Sequence, residues 1–257
     1  MSVLDSIIEG VREDLAARRT SLSKLHEMID SISPALDAHV TLSKNEMNVI
    51  AEVKRSSPSK GALAPIADPA GLAEQYQEAG AAVVSVLTEQ RRFGGSLADL
   101  DAVRKRISIP ILRKDFMVDE YQFFEARAHG ADVVLLIVAA LSKNQLKDFY
   151  DLTTELGMAA LFEVHTMEEL EDAMAVGPRI VGVNSRNLKT LEVNTAAFAE
   201  IIPEIPSTLI RVAESGISSR ADVEFAQKAG ATAILVGEAL VKAGDPISSM
   251  HQLLGQR

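Results

Sequence analysis

The stretch EAGAAVV at residues 78–84 is one copy of a unit that recurs along this chain. AHGADVV at 128–134 and KAGATAI at 228–234 repeat it, and in each case a β-branched or apolar run follows a glycine. That glycine stands where a helix would end in a left-handed residue before the chain turns into a strand. The recurrence therefore predicts an alternation of helices and strands.

Short apolar runs predict eight buried strands. They cover residues 49–53, 83–87, 109–112, 133–138, 159–162, 180–183, 209–212 and 233–236. Their starts lie roughly 20 to 35 residues apart, which is the repeat of a βα unit. Because the runs are almost continuously apolar, the sheet should be covered on both faces. Eight such units predict one (β/α)8 TIM barrel over residues 48–257, and a doubly wound open sheet is the alternative.

Composition narrows the class of protein. The net charge of −10, from 36 acidic and 26 basic residues, argues against nucleic acid or an anionic membrane as the main partner, although a local basic pocket is compatible with it. There is no cysteine, which excludes disulfides, thiolate catalysis and cysteine-bound metals. No uncharged apolar run approaches the roughly 20 residues that a membrane span needs. We expect a cytoplasmic protein.

The first 47 residues predict a helical extension rather than a signal peptide. Val3, Ile7, Val11 and Leu15 recur at helical spacing, with charged residues between them. No linker or break in composition separates this segment from the rest. We therefore expect residues 1–47 to form an extension that caps a single barrel.

Polar side chains follow most of the predicted strands, where the active sites of such barrels lie. Glu52 and Lys54 are two residues apart, so a strand would point both the same way. A structural salt bridge is the simplest explanation of that pair, and a solvated loop is the simplest explanation of any one charge at a strand end. Together, however, two lysines, several carboxylates, an amide and a guanidinium around one mouth predict a site for a polyanionic substrate.

The ends of strands 7 and 8 predict a phosphate site. AESG at 213–216 and VGEAL at 236–240 each bring a glycine to the point where the chain leaves its strand. Loops 7 and 8 with a short extra helix form the recurrent phosphate cradle of this fold. A turn glycine alone is weak evidence of binding, but the two positions together favour phosphate.

Six motifs resemble one enzyme family. They are VIAEVKRSSPS at 49–59, RFGGS at 92–96, LRKDF at 112–116, FEVH at 162–165, GVNSRNL at 182–188 and AESG at 213–216. In this combination they resemble the indole-3-glycerol phosphate synthases, and the resemblance covers nearly the whole chain, including the leader. It implies a carboxy-lyase of tryptophan biosynthesis. Such an enzyme converts 1-(2-carboxyphenylamino)-1-deoxyribulose 5-phosphate to indole-3-glycerol phosphate, carbon dioxide and water.

The resemblance implies that no cofactor or metal takes part, and the five histidines show no pairing at metal-ligand spacing. It also implies catalytic roles. Lys114 would be the general acid of ring closure, and Glu163 and Lys54 would serve the later steps, with the division of proton transfers between the two lysines left open. Glu52 would position Lys54. Asn184 and Glu214 would orient the sugar hydroxyls and the catalytic groups.

The remaining expected roles concern substrate binding. Arg186 and Ser57 would lie near the anthranilate carboxylate. The phosphate would lie on the backbone N–H groups of Ser215, Gly216, Gly237 and Glu238, with added charge from Lys54. An apolar slot for the ring would draw on Phe93, Phe116, Leu135, Leu136 and Leu188, although only one of the two adjacent leucines can face inward.

Two other functions stay open at this point: a related sugar-phosphate barrel of the phosphoribosylanthranilate isomerase kind, and a phosphate-binding barrel without catalysis. The first lacks a long helical leader and the KDF motif, and the second would be expected to have lost a catalytic residue. We expect a monomer that acts on a small molecule. The leader is either a lid over the ring or a plug over apolar surface. If it is a lid, deletion of residues 1–47 should raise KM more than it unfolds the barrel.

Overall fold

A closed barrel of eight parallel strands forms the body of the protein in the computed structural model, which describes residues 2–44, 46–63, 65–242 and 244–256. The strands are β1 (Asn48–Val53), β2 (Val83–Leu87), β3 (Ile111–Lys114), β4 (Val133–Ile137), β5 (Ala159–Val164), β6 (Ile180–Asn184), β7 (Ile210–Glu214) and β8 (Ala233–Val236). β1 pairs in parallel with both β2 and β8, so the sheet is closed. The predicted (β/α)8 barrel is confirmed, and the open sheet is excluded.

Helices surround the strands. They are α1 (Val3–Arg18), α2 (Leu22–Asp30), α3 (Ala38–Leu42), α4 (Pro69–Glu78), α5 (Leu97–Arg104), α6 (Tyr121–Ala128), α7 (Lys143–Glu155), α8 (Met167–Val176), α9 (Ala196–Ile201), α10 (Arg220–Lys228), α11 (Glu238–Lys242) and α12 (Pro246–Leu254). The loop after β1 carries a small hairpin that pairs Ser56–Ser57 with Gly61–Ala62. No helix in the described part of the chain is both long and apolar enough to cross a membrane.

The recurrent glycines end helices as predicted. Gly80, Gly130 and Gly230 have φ values of 90°, 83° and 103° and directly follow the last turns of α4, α6 and α10. An L side chain is disfavoured in this left-handed region, which explains why glycine recurs there.

The core has two layers because side chains alternate along each strand. Ile50, Leu112 and Leu135 belong to a cluster inside the barrel. Val84 and Leu136 belong to a second cluster, which packs the strands against the surrounding helices.

The strands match their predicted positions within two residues, and β3 is displaced the furthest. The apolar run predicted a strand at residues 109–112, whereas β3 is Ile111–Lys114. Pro110 has no N–H to donate to a ladder, and its carbonyl accepts from Val84 N at the start of the β2–β3 pairing. The strand therefore begins after Pro110, and it extends through Arg113 and Lys114.

The leader runs from one end of the barrel to the other. Ser6 in α1 accepts a hydrogen bond from Arg92 in the loop after β2, at the end where the strands finish. At the opposite end, Asn48 Nδ2 at the start of β1 donates to Leu42 O at 3.1 Å. Side chains of both α1 and α3, including Leu4 and Leu42, join the cluster inside the barrel.

Candidate active site

One cavity of about 610 Å³ opens at the carboxyl ends of the strands. It is lined by every site residue that the sequence predicted except one: Glu52, Lys54, Ser57, Phe93, Lys114, Phe116, Leu135, Glu163, Asn184, Arg186, Leu188, Glu214, Ser215, Gly216, Gly237 and Glu238. The exception is Leu136, which is fully buried in the layer between strands and helices. Leu135 takes the inward position of β4, so the inclusion of Leu136 in the slot is corrected.

Lys114 lies between two buried carboxylates. Its Nζ is 3.1 Å from Glu163 Oε2 and 3.9 Å from Glu214 Oε2. Burial alone would lower the pKa of Lys114, but the charges of Glu163, Glu214 and Glu52 outweigh it and raise the pKa above its ordinary value. The ammonium is therefore held charged inside the cavity.

The two carboxylates beside Lys114 differ in charge. Burial would raise the pKa of Glu163, but the charge of Lys114 and contacts from His165 and Asn184 lower it well below its ordinary value. The pKa of Glu214 is raised instead, by burial and by the charge of Glu163. Glu163 is therefore ionised, and Glu214 favours the protonated form. Such divergent pairs separate acid from base at an active site.

Gly182 gives Glu214 its space. A Cβ on Gly182 would lie 2.0 Å from Glu214 Oε1, far inside van der Waals contact. Its φ is not in the left-handed region, so close approach explains this glycine better than backbone conformation does.

Glu52 and Lys54 meet at the end of β1, as their spacing predicts, and form an ion pair. The Glu52 side chain is almost fully buried, whereas about a fifth of the Lys54 side chain is exposed to the cavity. The Lys54 ammonium of this pair is therefore accessible to a ligand, whereas the Glu52 carboxylate is not.

The turns after β7 and β8 line the cavity with Ser215, Gly216, Gly237 and Glu238. Ser215 and Gly216 have φ values of 65° and 74°, and a non-glycine residue in this region is a strained feature that recurs at functional sites. Gly237 leads directly into the short helix α11. The Glu238 carboxylate accepts from Lys60 Nζ at 2.7 Å, which offsets its negative charge near the turn.

Apolar side chains also line the cavity. The rings of Phe93 and Phe116 are 6.1 Å apart and tilted by 40°. Leu135, Leu188 and Ile7 line the same cavity. Ile7 comes from α1, and sequence reasoning did not assign it to the site because helical periodicity shows an apolar face without showing what that face covers.

Arg186 and Ser57 also line the cavity and are half-buried. The Arg186 guanidinium donates to Ser59 Oγ at 2.9 Å and to Leu191 O at 3.0 Å, and its backbone N–H donates to Asn184 Oδ1. These contacts tie the loop after β1 to the loop after β6.

Sequence reasoning also missed His165. Its Nε2 lies 3.4 Å from Glu163 Oε1, and its Nδ1 lies 3.0 Å from Glu169 Oε2. Burial would lower the pKa of His165, but these two carboxylates raise it to about 10. The i, i+2 spacing of Glu163 and His165 was a usable signal for this contact.

Among the described residues, no group of three or more His, Asp or Glu side chains could hold a metal ion. That the reaction needs no metal or cofactor stays a prediction from the family resemblance.

Comparison with known proteins agrees with the motifs. The family model described as "Indole-3-glycerol phosphate synthase" matches residues 4–253. An indole-3-glycerol phosphate synthase of Rhodococcus opacus (strain B4) is 57% identical over 256 residues, 99% of this chain and 95% of that protein. Indole-3-glycerol phosphate synthase 1 of Streptomyces coelicolor is 55% identical, with the same coverage.

Solved structures support the fold alone. 3-Hexulose-6-phosphate synthase superposes with a TM-score of 0.63 at 17% sequence identity, over 81% of this chain and 99% of that one. Thiamine phosphate pyrophosphorylase from Pyrococcus furiosus gives 0.61 at 16% identity, over 81% and 94% of the two chains. The identity and coverage of the sequence relatives, together with the family model, establish that the chain belongs to the indole-3-glycerol phosphate synthase family.

Proposed function

We propose that this cavity closes the indole ring of 1-(2-carboxyphenylamino)-1-deoxyribulose 5-phosphate and releases indole-3-glycerol phosphate, carbon dioxide and water. The family membership and the six motifs support this lyase step of tryptophan biosynthesis. The substrate has a phosphate at one end and an aryl carboxylate at the other. The cavity is lined by the turns after β7 and β8, by apolar side chains and by Lys114, and we assign these to the phosphate, the ring and the ketose carbonyl.

The single observation that carries the proposal is the placement of Lys114, a charged ammonium inside the cavity between Glu163 and Glu214. In ring closure, the aromatic carbon that bears the carboxylate attacks the ketose carbonyl, and negative charge develops on the carbonyl oxygen. Lys114 donates the proton that this oxygen takes up. The new carbon–carbon bond leaves the ring non-aromatic, and loss of carbon dioxide restores aromaticity.

Dehydration then needs an acid and a base. Ionised Glu163 accepts a proton from the newly formed five-membered ring, and Lys54 protonates the departing hydroxyl so that it leaves as water. Glu52 holds Lys54 in place through their ion pair. Asn184 and the protonated Glu214 orient Glu163 and the sugar hydroxyls.

Binding completes the assignment. The phosphate lies on the N–H groups of Ser215, Gly216, Gly237 and Glu238, with Lys54 adding charge from the side. Arg186 and Ser57 bind the aryl carboxylate, and an Arg suits that group because its guanidinium forms paired hydrogen bonds. The ring lies against Phe93, Phe116, Leu135 and Leu188.

We also propose that residues 48–257 form the catalytic barrel and that residues 1–47 form an extension serving it. Contact of Ile7 with the cavity supports a lid at one end of this extension. The net charge of −10 and the small phosphorylated substrate suit a cytoplasmic monomer with no nucleic-acid partner.

The test is to mix the purified protein with the substrate in the presence of a chelator and to follow indole fluorescence. The wild-type protein should form product. Lys114→Ala should lose at least about 10²-fold in kcat, because general acid catalysis supplies about 10² to 10⁴. Lys143→Ala, at an exposed lysine on α7, is the matched control and should match the wild type.

Folded wild-type protein that binds the substrate without turnover would favour the non-catalytic barrel. Absence of binding would point to another sugar phosphate. Near-normal turnover by Lys114→Ala would contradict the role of that lysine.

A further inference from the structure

The proposed reaction leaves one buried polar cluster unused, on the outer side of β3. Arg113 is fully buried. Its guanidinium donates to Thr88 Oγ1 at 3.1 Å, to Asp115 Oδ2 at 3.0 Å and to Glu125 Oε2 at 2.9 Å. A buried guanidinium is costly unless its donors are matched, and here two carboxylates share it.

Glu125 is held from its other side by the leader. Arg18, the last residue of α1, donates from Nε to Glu125 Oε1 at 2.9 Å and from Nη2 to Oε2 at 3.0 Å. Such a bidentate pair is the strong form of a carboxylate–guanidinium contact. The charges of Arg18, Glu125, Arg113 and Asp115 thus alternate along one continuous path from the leader into the barrel.

The inner end of this path fixes the backbone beside Lys114. Asp115 Oδ2 accepts from Thr88 Oγ1 at 2.6 Å, and its Oδ1 accepts from Phe116 N at 2.8 Å. The residue directly before Asp115 is Lys114, and the residue directly after it is Phe116, which lines the cavity. The orientation of Asp115 therefore determines where β3 delivers the proposed acid and one wall of the ring slot.

We infer that Arg18 is a positioning residue for Lys114, acting through Glu125, Arg113 and Asp115. This inference rests on the proposed function of Lys114. Without Arg18, the Glu125 carboxylate keeps Arg113 Nη2 as its cationic partner, and that atom also serves Asp115. Two buried carboxylates would then compete for one guanidinium. The orientation of Asp115, and with it the position of the backbone at the end of β3, would no longer be fixed.

A variant could also lower kcat simply by loosening the leader from the barrel, and a second contact of the leader provides a control for that effect. Arg91 in the loop after β2 binds Asp14 Oδ1 at 2.6 Å and Glu13 Oε2 at 2.8 Å, both on α1. This anchor is exposed, and its side-chain hydrogen bonds run to α1 rather than to the Arg113 cluster. Asp14 also acts electrostatically on Arg18, so Glu13 is the better site for the control. Glu13→Gln weakens the attachment of the leader and removes no contact of Arg18, Glu125 or Arg113.

The experiment compares kcat, KM and Tm of Arg18→Met, Arg18→Met/Glu125→Gln and Glu13→Gln with those of the wild type. Arg18→Met should lower kcat about 10-fold with KM changed less than about threefold, since displacement of a catalytic group by a fraction of an ångström has effects of this order. The double variant should recover most of kcat, because the uncharged amide that replaces the Glu125 carboxylate no longer competes for Arg113. Glu13→Gln should keep the wild-type kcat.

The outcomes separate this inference from the proposed function. An inactive wild type would reject the function itself. An active wild type with Arg18→Met and Glu13→Gln equally affected, or with no recovery in the double variant, would reject the positioning role. If Arg18→Met does not fold, Arg18→Lys replaces it. A kcat of Arg18→Lys within about threefold of wild type supports the role of the charge. A larger loss of kcat that is not repaired by adding Glu125→Gln overturns it.

Discussion

Gly182 shows how one missing side chain shapes the site at the scale of single residues. It lies in β6, where an added Cβ would be 2.0 Å from Glu214 Oε1 and 3.2 Å from Leu161 Cδ1. We expect Gly182→Ala to displace Glu214 toward Glu163 and Lys114. Overpacking of this kind costs about 1–3 kcal/mol of stability, and kcat should fall by about 10²-fold with the displaced carboxylate. Thermal unfolding and steady-state kinetics measure the two effects.

A second substitution tests the cause of that loss. Glu214→Ala removes the carboxylate, so adding Gly182→Ala in that background should cost almost no further stability. A destabilisation equal in both backgrounds would show that the alanine conflicts with the strand itself and not with Glu214.

Residue spacing predicted that Glu52 and Lys54 meet, but it could not distinguish Leu135 from Leu136, because spacing carries only local information. Alternation along a strand placed Glu52 and Lys54 on one face without any knowledge of the fold. Leu135 and Leu136 are adjacent and equally apolar, so their sequence holds no signal of which one points inward. That choice follows from the pairing of β4 with β5, which is a long-range property.

At the scale of an element, the segment that joins β5 to α8 contains His165, whose positive charge should make the stability of the protein depend on pH. Glu169 Oε2 accepts from both the backbone N–H and Nδ1 of His165, and Glu163 lies on the other side of the ring. The folded-state pKa of about 10 lies above the ordinary value of 6.5. A raised pKa adds stability that is complete below about pH 6.5 and is lost as the pH rises toward 10.

We therefore expect the wild type to lose more stability between pH 6.5 and pH 9.5 than His165→Gln does. The difference should be on the order of 1 kcal/mol or more, or about 2–4 °C in Tm for each kcal/mol. His26→Gln, at an exposed histidine, is the control and should keep the wild-type slope. Equal slopes for the wild type and His165→Gln would show that the ring is neutral in the folded protein.

The number and order of the strands could be predicted from the sequence, but the residue at which a strand ends depends on contacts with residues far away in the chain. β3 was expected to stop at Leu112 because Arg113 and Lys114 are charged. It continues because Arg113 faces carboxylates on the helix side and Lys114 faces carboxylates in the barrel. Sequence alone does not reveal such matched burial, since Glu125, Glu163 and Glu214 are distant in the chain.

At the scale of the whole molecule, the leader divides between two tasks that the sequence could not separate. Ile7 of α1 lines the cavity, which supports a lid, although it is also buried in the cluster inside the barrel. Leu42 of α3 is almost fully buried in the cluster inside the barrel, which supports a plug. Deletion of residues 1–47 would remove both at once, so it is a poor test of either.

Single substitutions at the two ends of the leader separate the tasks. Ile7→Ala should raise KM about 5- to 10-fold, because this corresponds to lost ring contact of about one to two of the three carbons removed, at roughly 0.8 kcal/mol for each buried CH₂. Leu42→Ala should lower the free energy of unfolding by about 2–5 kcal/mol through the cavity that it leaves, with KM unchanged. Kinetics and urea unfolding of both variants provide the comparison. If Ile7→Ala changed stability alone, α1 would be a plug as well, and the ring slot would be complete without the leader.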